Sequence, residues 1–401
     1  MGAMKKLFER LPDWRGPEAL LLLMAMAMPF SFATWQALLN NFAIERVAFT
    51  GAEIGILQSL REIPGFLAFT IVFALWLMRE QNLAVVSIAL LGIGTALTGF
   101  FPNVLGLYAT TVLMSIGFHY NESLQQSLAL QWIDKKRAPM VLGRVIAATS
   151  CASLVAFSLV WLAFEVLVLD FVWVYALGGG ASIALAVVAY MLYPTFRSQV
   201  EQHKTIVLRR RYWLYYVLTF FSGARRQIFV VFAGFMMVEK FGYSVTGITT
   251  LFLLNYVINI WLAPVIGRLI GRWGERRALT FEYVGLIIVF TAYAFVANAT
   301  LAAILFIIDH LFFAMAIAIK TYFQKIADPR DIAQTAAASV AINHIAAVGM
   351  PVVLGFVWLI SPAAVFLLGA LIAAMSLLCA QFMPHVPRPG HETILCPAGR
   401  A

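Results

Sequence analysis

The stretch Glu45-Arg46-Val47-Ala48-Phe49-Thr50 and the stretch Glu239-Lys240-Phe241-Gly242-Tyr243-Ser244 share one order: acid, base, apolar, small, aromatic, hydroxyl. They stand 194 residues apart, and each follows a long apolar run. A second pair keeps nearly the same spacing. Gln131-Trp132-Ile133 leads to Arg137, and Gln324-Lys325-Ile326 leads to Arg330, at an offset of 193. One six-residue similarity arises easily by chance. Two independent ones at almost one offset point to duplication of a unit half the length of the chain.

The chain around these repeats is 401 residues long, 62% hydrophobic and 12% charged, with a mean hydropathy of +0.88. A soluble domain carries about 45–50% apolar and roughly 25% charged residues. A chain so apolar cannot cover itself with a polar shell, which excludes the soluble classes together with disordered and collagen-like ones. Three cysteines, Cys151, Cys379 and Cys396, make no disulfide framework. The composition is that of an all-α polytopic membrane protein. A membrane helix needs about 20 mostly apolar residues. Twelve such runs read as spans: 18–40, 54–78, 83–101, 104–131, 143–165, 171–194, 212–238, 246–270, 279–298, 301–323, 333–358 and 362–383. They are twice as long as a membrane strand and do not alternate, so a barrel is excluded. With the repeat, this divides the chain into a cytoplasmic N-terminus (1–17), a six-helix bundle (18–194), a polar linker (195–211), a second six-helix bundle (212–383) and a cytoplasmic tail (384–401).

The formal charge of +9 is an orientation signal. Arg46 and Lys240 fall outside, and Arg61, Arg225, Arg226 and Lys320 fall within spans. The other basic residues cluster on the opposite side: Lys5, Lys6, Arg10 and Arg15; Lys135, Lys136 and Arg137; Lys204 and Arg209 to Arg211; Arg268, Arg272, Arg276 and Arg277. The positive-inside rule makes that side the cytoplasm, with both termini inside. No nucleic-acid partner is expected. The first span opens on Glu18 without a small-residue cleavage site and is expected to be retained.

Between spans 8 and 9 the chain reads Gly267-Arg268-Leu269-Ile270-Gly271-Arg272-Trp273-Gly274-Glu275-Arg276-Arg277. This resembles the cytoplasmic signature of the major facilitator superfamily (MFS): Gly, three residues, Asp, a basic residue, any, Gly, any, two basic residues. Gly267, Arg272, Gly274, Arg276 and Arg277 match, while Gly271 stands where the signature has its acid. The first-half copy, near 74–83, keeps only Arg79. The resemblance implies the MFS fold of two pseudo-symmetric six-helix bundles. It also implies a solute pathway lined by spans 1, 4, 7 and 10, and a gate at this loop whose glycines let helix ends approach.

A charge near the bilayer centre is costly, so it faces a cavity or a partner. Such groups concentrate on the implied pathway spans. Span 1 offers Trp35 and Gln36; span 4 offers His119, Tyr120, Asn121, Glu122, Gln125 and Gln126; span 7 offers Arg225, Arg226 and Gln227; span 10 offers Asp309 and His310. His119 and Glu122, three apart, share a helix face, where a carboxylate accepts an imidazole proton. Arg225 and Arg226 lie about 100° apart, so one is expected to face the cavity and the other a neighbouring helix. An arginine of span 7 is the expected anion-holding group, because guanidinium forks match carboxylate and phosphate. Glu122 and Asp309, with His119 and His310, are the expected proton-carrying groups, since desolvation lets a carboxyl group keep its proton near working pH. The plainer alternative is that Arg225 or Arg226 pairs permanently with Glu122 or Asp309 as interhelix glue. Asn343 with His344 in span 11, and Asn255 with Asn259 in span 8, are candidate solute contacts or simple interhelical hydrogen bonds. Arg61-Glu62 in span 2 reads as a snorkelling pair or a gate pair.

The expected class is therefore a secondary transporter of a small anionic organic solute, proton-coupled and working by alternating access in a bacterial inner membrane. A monomer is expected, with the solute, protons and the bilayer as its partners. There is no phosphate-binding GxxxxGK loop, HExxH or nucleophile elbow, so no enzyme, cofactor or resident metal is expected. The alternative is multidrug or siderophore efflux by proton antiport. Against it, Glu122 stands where drug antiporters carry an arginine three residues before a glutamine, and span 5 has no proline. Metal transport through His119, Glu122, Asp309, His310 and His344 is disfavoured by the nearby arginines, and a non-transporting receptor is a further alternative.

Overall fold

A computed structural model describes residues 14–133, 138–196, 208–328 and 331–395. The expectations placed on Lys5, Lys6, Arg10, Lys135, Lys136, Arg137, Lys204, Arg330, Cys396 and linker residues 197–207 lie outside the described residues. The long helices are α1 Pro17–Val47, α2 Gly51–Phe66, α3 Glu80–Thr98, α4 Val104–Trp132, α5 Ala138–Glu165 and α6 Phe171–Leu192. They continue as α7 Trp213–Gln227, α8 Val245–Trp273, α9 Glu275–Phe295, α10 Ala299–Phe313, α11 Ile332–Ile360 and α12 Pro362–Gln381. α7 runs on through a π-helical turn, Ile228–Ala233, into Gly234–Glu239. α10 runs on through a 3-10 turn, Ala314–Ala316, into Ile317–Ile326.

Polar caps set where these helices begin. Asn103, Ser244, Asn298 and Ser361 each accept a hydrogen bond from the backbone N–H three residues on. This satisfies donors that a helix start leaves open. Thr50 and Glu53 form a capping box for α2, with the Thr50 N–H donating to the Glu53 carboxylate at 2.9 Å. Gly274, at φ +79°, makes the sharp exit from α8 into α9, a conformation that strains any residue with a Cβ.

Among the described residues, ten helical stretches are long and apolar enough to cross a membrane. α2 and α4 fall outside that set for different reasons. α4 is 29 residues long, but His119, Asn121, Glu122, Gln125 and Gln126 interrupt its apolar run. The span expected over 54–78 is not one helix. α2 stops at Phe66 and the chain turns through a 3-10 segment, Ala68–Thr70, before one more turn, Ile71–Ala74. Pro64 inside α2 removes a backbone donor and Gly65 follows it, which weakens the helix just where it ends.

The chain divides into two compact units, residues 1–47 with 63–202, and residues 48–62 with 203–401. In the first unit α1 packs on α5 and α6, and α3 on α4 and α6. In the second, α7 packs on α11 and α12, and α9 on α10 and α12. The same pairings recur within each unit. In lipid, helices associate through close packing of small residues, and the first unit is built that way. A Cβ on Gly117 of α4 would collide with the Ser87 carbonyl oxygen of α3. One on Gly179 of α6 would collide with the carbonyl oxygen of Gly92. Ser31 of α1 donates to the Ser182 hydroxyl at 2.7 Å, and Ser182 donates to the Ala27 carbonyl.

In the second unit the first turns of α2 lie along α11. Gly51 sits against Trp358 and Gly55 against the Pro351 carbonyl, while the Ser59 hydroxyl accepts the Val352 N–H at 3.1 Å. Asp331 ties the residues before α7 to the start of α11. It accepts from Arg211 at 2.8 Å, Tyr212 at 3.0 Å and Arg209 at 3.3 Å. Burial opposes its charge, but the hydrogen bonds from Arg211 and Tyr212 and the charge of Arg209 outweigh it and hold the carboxyl below its ordinary range. A depressed carboxyl stabilises the fold at pH above its unfolded-state range and loses that contribution as pH falls through the folded value. Asp331→Asn should therefore lower the melting temperature at neutral pH, with the gap to the parent protein closing on acidification. A gap that stays constant from neutral to acid pH refutes the assignment.

Candidate functional site

The polar residues expected to carry transport separate by unit. In the first unit, Trp35 is buried on α1 with Phe32 stacked at 6.2 Å, and Gln36 beside it is half-buried. Tyr120 of α4 pairs through its hydroxyl with Thr70 at 2.6 Å. Asn121 is fully buried, and neither its amide oxygen nor its nitrogen has a hydrogen-bond partner among the described residues. His119 is buried and lies 3.9 Å from Glu122, whose own side chain is 63% exposed.

The second unit holds the ionic centre. Arg225 is 3% exposed. It donates to the Ser376 hydroxyl of α12 and to Glu282 of α9 at 3.3 Å, and its guanidinium lies 4.3 Å over the Tyr283 ring. The neighbouring Arg226 is half-buried and donates to the Asn343 side-chain oxygen of α11 at 3.2 Å. Adjacent residues on a helix thus serve two environments, as their angular separation requires. Asp309 is buried on α10 within electrostatic range of Arg225. His310 beside it packs on Phe229, ring centroids 5.8 Å apart. Gln227 of α7 and Asn255 of α8 are fully buried, and their amide groups have no hydrogen-bond partner among the described residues.

Reading the sequence missed Glu282, Ser376 and Tyr283. The permanent partner it imagined for a span 7 arginine was Glu122 or Asp309, whereas the buried bridge of Arg225 goes to Glu282. The available signal was an acid inside the apolar run of span 9. It lay near the predicted cytoplasmic edge of a helix not implied to line the pathway, so nothing marked it out. His344 meets Glu62 at 3.8 Å, which joins the Arg61-Glu62 pair to α11 within the second unit. Lys320 is exposed.

The loop between α8 and α9 is bound differently from what its glycines imply. A Cβ on Gly267 or Gly271 would meet nothing within 4 Å among the described residues, so close helix approach does not explain Gly267. Gly274 is required by its backbone angle. Arg276 donates to Gln381 at the end of α12 at 3.1 Å and to the Met383 carbonyl at 3.3 Å. Glu275, buried at the start of α9, pairs with Lys325 at 2.7 Å. With Gly271 in the place of the signature's acid, Glu275 is the acid that anchors the loop.

A family model described as Major Facilitator Superfamily matches residues 19–351 and, in an overlapping second match, residues 215–395. None of the curated proteins matches the chain. Among solved structures, a point mutant of the nucleoside transporter NupG aligns with a TM-score of 0.76 at 15% identity, over 91% of this chain and 99% of that one. A bacterial homologue of the human lysosomal transporter Spinster, inward-facing and occupied, aligns with a TM-score of 0.67 at 14% identity, over 90% and 93%. An auto-inhibited peptide transporter of the POT family aligns at 0.67 and 12% identity, over 91% and 95%. At such identities these likenesses concern the fold.

Proposed function

The chain belongs to the Major Facilitator Superfamily, and from that premise we propose that it moves a small anionic organic solute by proton-coupled alternating access. It is an integral membrane transporter of small molecules; a bacterial inner membrane with both termini in the cytoplasm is the setting its charge distribution favours.

The anion is supported by the division of labour between the two arginines of α7. Arg225 is buried and engaged with Glu282 and Ser376. Arg226 is half-buried, bonded to a neutral amide, and lines the same recess as Asp309. A planar fork so placed can grip a carboxylate or phosphate with two parallel hydrogen bonds. Asn343 orients it, and Trp35, Gln36, Tyr120 and Asn121 are the proposed solute contacts of the first unit. Asp309 and His310, with the His119–Glu122 pair, are the proposed proton-handling groups. The loop carrying Gly267, Arg272, Gly274, Arg276 and Arg277 is the proposed cytoplasmic gate, with Arg276 as its fastening to α12.

Uptake by proteoliposomes under an inward proton gradient, across a panel of carboxylates and phosphorylated metabolites, tests this reading. A charge-assisted hydrogen bond is worth about 1.5–3 kcal/mol. Arg226→Ala should therefore raise KM for the transported anion roughly ten- to a hundredfold, and Arg226→Lys should recover part of the loss. Unchanged uptake of every anion by a folded Arg226→Ala protein removes the anion reading. One observation favours a second substrate class. The buried amides of Gln227 and Asn255 offer donor–acceptor pairs suited to a neutral polar solute, and nucleosides, the cargo named for NupG, belong in the same panel.

A further inference from the structure

The chain does not leave the second unit where α12 ends at Gln381. The Ile394 N–H donates to the Phe382 carbonyl at 2.9 Å, which closes residues 382–394 into a loop whose two ends meet. Inside it, Arg388 and His391 pair as an antiparallel bridge around Gly390, whose φ of +80° suits a residue without a Cβ. The Gly390 N–H donates to the Glu392 carboxylate at 3.0 Å. A segment that follows a membrane helix ordinarily stays in water, because burying its backbone is costly unless its polar groups find partners. Here Met383, Pro384, Pro387, Glu392 and Thr393 are buried, so the loop is seated on protein. Three other helices make the seat. The Tyr322 hydroxyl, in the second segment of α10, donates to the Glu392 carbonyl at 2.6 Å, and both residues are buried. Arg276, in the first turn of α9, donates to the Met383 carbonyl. Trp213, at the start of α7, lies beside Phe382 with ring centroids 6.4 Å apart.

The part of α10 held in this way is short and hinged. Ile317–Ile326 is a run of ten residues, set off from Ala299–Phe313 by the 3-10 turn Ala314–Ala316. Such a turn within a helix has poorer hydrogen-bond geometry and often marks a hinge. The buried face of the run, Ala318, Ile319, Tyr322, Phe323 and Ile326, follows helical spacing, and Tyr322 stands at its centre. One fastening of the run is the ion pair of Lys325 with Glu275, which joins it to α9 itself. The bond from Tyr322 is different in kind, because it ends on a loop that must stay closed for the bond to exist.

We propose that residues 382–394 are a clasp on the second segment of α10. While the loop is closed, Ile317–Ile326 is held to the ends of α9 and α12; when the loop opens, the segment is free to bend at Ala314–Ala316. The loop and the segment therefore open together. The clasp needs neither the solute nor the proton assignments made above. The alternating-access reading supplies it with a use: the closed loop is a brake on the movement of α10.

Hydrogen exchange of the purified full chain, read peptide by peptide by mass spectrometry, tests this without any cargo. Tyr322→Phe removes the hydroxyl and should speed exchange of residues 317–326 and 382–394 by one common factor, roughly two- to tenfold for a lost hydrogen bond. Ile394→Pro removes the N–H that closes the loop, at a side chain that is itself exposed, and should speed exchange of the same two stretches. Residues 299–313 should keep the parent's rate in both variants, because the hinge uncouples them. Faster exchange in the loop alone, or along the whole of α10, overturns the proposal, and so does an unchanged rate at 317–326 in Ile394→Pro. That variant decides the question even where Tyr322→Phe, at a buried position, fails to give monodisperse protein. A failed clasp leaves anion uptake and its dependence on Arg226 as they were, so the two failures are told apart.

Discussion

Arg225→Leu should destabilise the protein by about 3–5 kcal/mol, and adding Glu282→Leu should restore most of that loss. Removing one partner of a buried ion pair leaves the other charge desolvated and alone, and a cost of that size is typical. Here the stranded group is a carboxylate 1% exposed, which would also lose its donor at 3.3 Å. The double substitution removes both charges and fills the space with apolar volume, which in other buried pairs is close to neutral. Unfolding in mild detergent, followed by tryptophan fluorescence and by retention of monodisperse protein, measures both steps. A single variant as stable as its parent would mean that Glu282 is already neutral and needs no arginine. A double variant no better than the single would mean that Ser376 and Tyr283, which also touch the guanidinium, hold more of the energy than the carboxylate does. In either case the bridge from Arg225 to Glu282 would not be what holds the two helices together here.

Gly117→Leu should prevent the first unit from packing, or lower its stability by at least about 1–3 kcal/mol, the usual range for overfilled cores. The position allows little relief. The first added carbon would fall inside the contact distance of the Leu91 backbone nitrogen and the Ser87 carbonyl oxygen. These are backbone atoms of α3, so the helices themselves would have to part. Gly143→Leu is the matched control, because a Cβ there meets nothing within 4 Å among the described residues. Equal thermal stability of the two variants would show that α3 and α4 are not held at backbone contact. Both experiments read stability without any assumption about cargo.

Much of the architecture was legible in one dimension because the bilayer is a simple solvent. It demands long apolar runs and satisfied backbones, so many helices of the described chain start near the predicted positions, where the structure shows polar caps such as Asn103, Ser244 and Asn298. The break in span 2 was less legible. Its apolar composition runs on past Phe66, and only Pro64-Gly65 hints at the interruption. Of the site, the residue types and their helices could be read, because ions in apolar segments are conspicuous. Which of two adjacent arginines turned inward could not. A rotation of about 100° per residue tells that the two differ, and only the neighbours decide which way each goes.

The amino-acid order by itself therefore determined that this chain lives in a membrane and that α4, α7 and α10 carry groups too polar for lipid, since transfer free energy depends on composition along a segment. Tertiary packing decided the rest: Glu282 rather than Glu122 as the counter-ion of Arg225, Asn343 as a partner of Arg226, and Glu275 with Lys325 as an ion pair at the start of α9. Coulomb and hydrogen-bond energies fall off over a few ångströms, and the residues they join stand 57, 117 and 50 positions apart along the chain.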